Sequence, residues 1–167
     1  MENLKSLLGV KNNFAKMLIS FSCGCILTLT QAPFHFVFLF IFSFFITYEI
    51  TLNSKKSFLI GYVFGVGYFS TLLYWVGYSF EHVGMSLIGG FMAALLLALY
   101  LSIFSGMSFY ITKKISKNNK KQFLILFPFI WCLLEFIRSN FILGGFSFGV
   151  IGYMWNNQII LQICSIG

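Results

Sequence analysis

A succession of long apolar runs, punctuated by lysine clusters, constrains this chain more than any other feature. The runs are Phe14–Thr30, Pro33–Leu52, Phe58–Phe80, Met85–Thr112 and Phe123–Leu143. A helix needs about 20 mostly apolar residues to cross a bilayer, and each run meets or approaches that length. The runs are continuous and do not alternate, which predicts helices in place of barrel strands. Of the residues, 59% are hydrophobic and 9% charged, against about 25% charged in a soluble domain. Too few polar groups remain to cover a water-facing surface. The expected fold is an all-α integral membrane protein with about five transmembrane helices, forming one polytopic domain over residues 1–167. Pro33 is expected to open the second helix in its first turn, where a missing N–H costs little. Met85–Thr112 is long enough to require tilt or a lead-in that does not span. The first run is followed so closely by the second, across Gln-Ala-Pro, that it reads as a retained span and not a cleaved leader.

The connections predict orientation. Lys5, Lys11 and Lys16 precede or open the first run, Lys55 and Lys56 follow the second, and Lys113, Lys114, Lys117, Lys120 and Lys121 follow the fourth. The other two connections, QAP and YSFEHVGMS, carry no lysine or arginine. The excess of basic residues in cytoplasmic loops then puts the N-terminus and every lysine cluster in the cytoplasm. The turn at Gln31–Pro33, the loop around Glu81 and the region after Leu143 fall on the far side.

The same distribution argues against a nucleic-acid partner, because the net charge of +7 lies in short clusters between apolar runs and forms no phosphate-binding stripe. Cys23, Cys25 and Cys132 lie within apolar runs and Cys164 in a short apolar tail. Their spacing is not that of a zinc site, and small packing residues are the plainer reading. His35 and His82 both fall near the outer face, and no spacing between them supports a haem site. Neither cofactor nor metal is expected. The motifs of metalloproteases, phosphate-binding loops and serine hydrolases are absent.

Glu135 and Arg138 are the conspicuous candidates. Arg138 is the only arginine in the chain. Three residues apart, the two share a helix face and can pair. A lone charge at the bilayer centre costs ~2.5–3.5 kcal/mol on insertion scales. A functional role and a structural pair that anchors the helix are both consistent with this placement. Gly61 and Gly65 form a small-xxx-small pair suited to close helix packing. Tyr74, Trp75 and Tyr78 fall at the outer end of the third run, either as an interfacial aromatic belt or as the lining of an opening for an acyl chain. The segment GGFSFGVIGY, with Gly145 and Phe146, follows the fifth run as a turn or as a substrate-facing loop. Glu49, near Lys55 and Lys56, and Glu81, in a loop, need no catalytic role. The apolar residues 158–167 read as a sixth membrane segment cut short, or as an interfacial helix.

Four stretches together resemble the N-terminal membrane domain of apolipoprotein N-acyltransferases: APFHFVFL (Ala32–Leu39), GYVFGVGYFSTLLYWVGYS (Gly61–Ser79), ALYLSIFSG (Ala98–Gly106) and PFIWCLLEFIRSNFILGGFSFGVIGY (Pro128–Tyr153). In the last and most specific, Glu135, Arg138, Gly145, Phe146, Gly152 and Tyr153 match the family pattern. Ser139-Asn140 and Ser147-Phe148 depart from it, the latter standing in place of Pro-Trp. The resemblance implies transfer of an acyl chain from a membrane phospholipid to the α-amino group of the diacylglyceryl-cysteine of a bacterial lipoprotein. The location implied is the bacterial inner membrane. In the family a Glu-Lys-Cys triad in a nitrilase-like domain carries the reaction, and no residue here matches that triad. The expectation is a truncated or split enzyme, inactive by itself, whose partners are phospholipid, the lipoprotein N-terminus and, for a split gene, a separately encoded catalytic half. The alternative is a small non-catalytic membrane scaffold or lipid-binding protein.

Overall fold

The computed structural model describes residues 12–31, 33–82, 84, 86–141 and 148–154. Every described element is helical: α1 (Asn13–Thr28), α2 (Phe38–Leu52), α3 (Ser57–Leu72), α4 (Tyr74–Glu81), α5 (Leu87–Ser116) and α6 (Lys120–Phe141), then a 3-10 turn at Ile151–Met154. Residues 158–167 lie outside the described residues.

Local chemistry sets the helix ends. Asn12 caps α1 by accepting from Phe14 N at 3.0 Å, and Ser86 caps α5 through Gly89 N at 3.2 Å. Asn119 accepts from the first free amides of α6, Lys121 N at 3.1 Å and Gln122 N at 3.4 Å. Between α5 and α6, Lys117 and Asn118 take φ values of 47° and 63°, which reverses the chain.

One expected boundary is corrected. Pro33 does not open the second helix. His35 takes φ 52°, which a right-handed helix cannot absorb. Residues 33–37 therefore form turns, and α2 begins at Phe38. The third run is not one rod, because it bends by 44° at Leu73, between α3 and α4. The helices of the fourth and fifth runs extend into the lysine loop, α5 to Ser116 and α6 from Lys120. Among the described residues, α5 and α6 are long and apolar enough to cross a membrane, and α3 with α4 makes a third span if the bent pair counts as one. The 16 residues of α1 and 15 of α2 reach roughly 22–24 Å at about 1.5 Å per residue.

Apolar side chains cover the outside of the bundle, and hydroxyls join the apolar core inside it. Phe14, Phe38, Ile88, Phe129 and Phe141 are each 70% exposed or more. Ser20, Ser43, Thr47, Thr51, Ser102, Ser105, Ser108 and Thr112 are buried. Water would not tolerate so much contiguous apolar surface, whereas lipid does. Many of the inward hydroxyls return to their own helix, as in Thr47 to Ser43 O at 2.8 Å and Thr112 to Ser108 O at 2.6 Å. Others cross between helices. Ser20 donates to Ile60 O at 2.9 Å and Thr28 to Tyr68 O at 3.2 Å, both joining α1 to α3.

Helix α3 is central and packs chiefly on α5 and α1. Lipid tails supply no hydrophobic drive for helix association, so close approach depends on small residues. On the α5 side, a Cβ on Gly61 would lie 2.7 Å from the Phe109 ring, and one on Gly65 would lie 2.8 Å from Ser105 Cβ. On the α1 side, a Cβ on Gly67 would strike the carbonyl of Phe21, and one on Gly24 that of Phe64.

The lysines gather at one end of the bundle. Lys113 Nζ donates to the C-terminal carbonyls of α2 at Thr51 (2.8 Å) and Leu52 (3.2 Å), and to Ser54 O. Lys16 Nζ donates to Asn53 O at 3.1 Å. Glu49 pairs with Lys120 of α6 at 3.1 Å, across the bundle, in place of the nearby Lys55 and Lys56.

Gly67→Ala and Gly24→Ala should each force α1 and α3 apart, at about 1–3 kcal/mol or more. Thermal unfolding in detergent measures this. Gly152→Ala, whose new Cβ would find its nearest neighbour at 3.8 Å, should leave the midpoint unchanged.

Candidate functional site

At the end of the bundle opposite the lysines, residues 148–151 fold back against α3 and α6. This backbone lies among apolar side chains, where an unsatisfied carbonyl or amide is costly. Side chains from three separate elements satisfy it.

Arg138 projects from the last turn of α6 and is 2% exposed. Its Nη1 donates to Phe148 O at 2.9 Å and its Nη2 to Gly149 O at 3.5 Å. Its guanidinium carbon Cζ lies over the Phe69 ring, 5.4 Å from the centroid. Glu135, one turn earlier, accepts from Ile151 N at 3.0 Å. The carboxylate–guanidinium separation is 3.8 Å, longer than a charge-assisted hydrogen bond of about 2.7–2.9 Å. Each charge thus makes its shorter polar contact with the 148–151 backbone, and the ion pair supplements those contacts.

Tyr68 and Gln31 complete the set. Tyr68, fully buried on α3, donates to Gly149 O at 3.2 Å. Gln31, in the turn after α1, donates to Tyr68 Oη at 3.1 Å and to Val150 O at 3.5 Å. Gly149 has φ 73°, and a Cβ there would sit 2.6 Å from Leu72 Cδ2. Both the backbone conformation and the space require glycine.

The aromatic candidates separate. Trp75 meets Phe148 edge-on, with centroids 5.4 Å apart. Tyr78 contacts Phe91 of α5 at 5.3 Å, and Tyr74 is 61% exposed. Only Trp75 of the three is joined to the 148–151 segment by these contacts. Gly145 and Phe146 lie outside the described residues. Tyr68 and Gln31 escape sequence reasoning. One weak signal exists for each: a tyrosine hydroxyl in mid-run needs a partner, and a glutamine in an uncharged turn has few nearby.

A small cavity of about 10 Å³, room for roughly one water, lies beside the pair and is lined by Phe69, Ser105, Ser108, Trp131, Glu135 and Arg138 among others. Cys132 stands three residues before Glu135 on α6 and feels its charge, but among the described residues no lysine joins the two. The chemistry of the arrangement is that of a clamp: it orients backbone, and its donors are engaged by this chain's own carbonyls.

The family model described as "Apolipoprotein N-acyltransferase N-terminal domain" matches residues 23–167. The apolipoprotein N-acyltransferase of Methylococcus capsulatus is 28% identical over 154 residues, covering 90% of this chain and 30% of the relative. That of Rickettsia typhi is 31% identical over 162 residues, covering 89% of this chain and 30% of the relative. The Neisseria meningitidis serogroup A protein of the same name is 30% identical over 105 residues, covering 62% of this chain and 20% of its own length. The chain therefore spans about a third or less of the length of these relatives.

Arg138→Ala leaves Glu135 as a buried unpaired charge, takes the guanidinium donor from Phe148 O and leaves Gly149 O to Tyr68, with an expected cost of about 3–5 kcal/mol. Tyr68→Phe should cost about 1–3 kcal/mol. Both side chains hold Gly149 O, so the double variant should lose less or more than the sum of the two, not the sum itself. A double-mutant cycle read by unfolding in mixed micelles checks this, and strict additivity would contradict a shared clamp.

Proposed function

The chain belongs to the apolipoprotein N-acyltransferase N-terminal domain family, and from that premise we propose that it forms the membrane portion of an enzyme that N-acylates the diacylglyceryl-cysteine of bacterial lipoproteins. The acyl donor in this reading is a membrane phospholipid. One polytopic domain of about five spans sits in the bacterial inner membrane, with its N-terminus and lysine end in the cytoplasm. The Glu-Lys-Cys chemistry resides in the part of the family's chains that this sequence does not cover. The role of this chain is to hold and orient that part, and to admit both lipid substrates beside it.

The observation that carries this reading is the clamp of Arg138 and Glu135 on the backbone of residues 148–151. It sits at the end opposite the lysines, which the positive-inside rule would turn away from the cytoplasm. A segment held by four side chains through five hydrogen bonds at that face provides a rigid footing for a domain above it, and the edge-on Trp75–Phe148 contact extends the footing toward the aromatic cluster. The same observation supports domain support over catalysis for Glu135 and Arg138. A non-catalytic lipid-binding scaffold is the competing class, and the engagement of the Arg138 and Glu135 side chains by this chain's own backbone is the feature that favours it.

The test is a chimera in which this chain replaces the corresponding membrane domain of a full-length relative. Expected is N-acylated lipoprotein by mass spectrometry, with acylation reduced at least tenfold by Arg138→Ala and largely retained by Tyr74→Phe. Stable insertion without acylation would count for the scaffold reading. Orientation is checked separately with single cysteines. A cysteine at Lys117 should label only after the inner membrane is permeabilised, and one at Glu81 should label from outside. The reverse pattern would invert the topology.

A further inference from the structure

An open groove of about 240 Å³ runs between α2 and α6 in the lysine half of the bundle. Its floor is Phe44, Phe109 and Phe127, and its rims include Ile41 and Leu124, which are 67% and 55% exposed. The backbones of α2 and α6 stay apart, and ring contacts such as Phe44–Phe127 at 5.4 Å and Tyr48–Phe123 at 5.1 Å close the space between them from below. At the lysine end the two helices are joined by the Lys120–Glu49 pair at 3.1 Å and by Tyr48 Oη donating to Lys120 O at 3.4 Å. From Phe40 to Tyr48 the groove follows α2 for about 12 Å at 1.5 Å per residue. That is most of one leaflet of a ~30 Å hydrocarbon core.

The charge at its mouth is one-sided. Lys120 stays 64% exposed while paired, and Lys114, Lys117 and Lys121 are exposed beside it. Glu49 is the one acidic residue among the described residues at this end. Clusters of lysine directly outside an apolar segment attract anionic lipid headgroups. The geometry points to a bound anionic phospholipid whose acyl chain fills the α2–α6 groove and whose phosphate lies on Lys120 and Lys121. This lipid is structural. It lies at the end opposite the clamp and is distinct from the proposed acyl donor. The inference rests on the membrane reading of the fold but not on the acyl-transfer reaction.

Trp131 supplies the reporter, since its ring centroid is 5.1 Å from that of Phe44 and 5.5 Å from that of Phe127. With Trp75→Phe and Trp155→Phe in place, the full chain is reconstituted with phosphatidylglycerol or phosphatidylcholine brominated in the acyl chain. Expected is quenching of Trp131 with an apparent affinity about fivefold higher for phosphatidylglycerol. Lys120→Gln with Lys121→Gln should bring the two lipids to parity. Leu124→Phe, at an exposed rim position, should reduce quenching by both. Equal quenching by both headgroups in the parent, or no effect of Leu124→Phe, overturns the proposal. A dimer that Leu124→Phe dissociates would assign the groove to a second copy and also overturn it. Phe129→Trp, on the 72% exposed face of α6, separates the two failures. Quenching there without headgroup preference at Trp131 removes only this proposal, and no quenching there removes the membrane reading beneath it.

Discussion

Arg138 holds the carbonyls of Phe148 and Gly149, and the far end of the bundle is organised by that contact. Backbone outside a helix has no internal partners and, among apolar side chains, no water to turn to. Residues 148–151 can lie against α3 and α6 only because donors and an acceptor are brought to them. A guanidinium suits the task because its several donors sit in a fixed planar fork. Glu135 compensates the buried positive charge and receives Ile151 N. Tyr68 and Gln31 extend the same hydrogen-bonded set to α3 and to the turn after α1. One buried cation thereby couples the end of α6, the middle of the bundle and the returning chain.

The lysine end follows the same accounting with different residues. The carbonyls that close α2 have no intrahelical donors, and Lys113 reaches them from α5. Between the two ends, helix contact depends on size and not on hydrophobicity. The glycines of α3 admit Phe109 and Ser105 on one side and the backbone of α1 on the other. Many serines and threonines point inward because their hydroxyls can be satisfied by helix carbonyls, while phenylalanines divide between the core, as Phe64 and Phe109, and the outer face, as Phe38 and Phe129.

Much of this was legible beforehand, and unevenly. The helical class, the gathering of lysines and the packing role of Gly61 and Gly65 follow from run length, loop composition and spacing. Glu135 and Arg138 were visible because charge is rare in such a run. Their partners were not, since a carbonyl of residue 148 carries no sequence signature. Gly67 and Gly24 were equally hidden, because they face a helix whose azimuth no pattern in the near-uniform apolar runs reveals. Glu49 was placed near Lys55 and Lys56 by proximity in sequence, yet it pairs with Lys120 of α6.

By itself, then, the sequence determined that this chain packs apolar helices with lysines at one end, because hydropathy and charge act along the chain and need no knowledge of neighbours. It also carried the resemblance to its family in the Glu-Arg stretch and the glycine-aromatic segment after it. Only the tertiary structure decided that α2 begins after the left-handed His35, that the third run bends at Leu73, and that the buried pair makes its shorter hydrogen bonds with backbone and not across the pair. Those outcomes depend on which polar group finds which partner in three dimensions, and in an apolar surround that matching leaves little latitude.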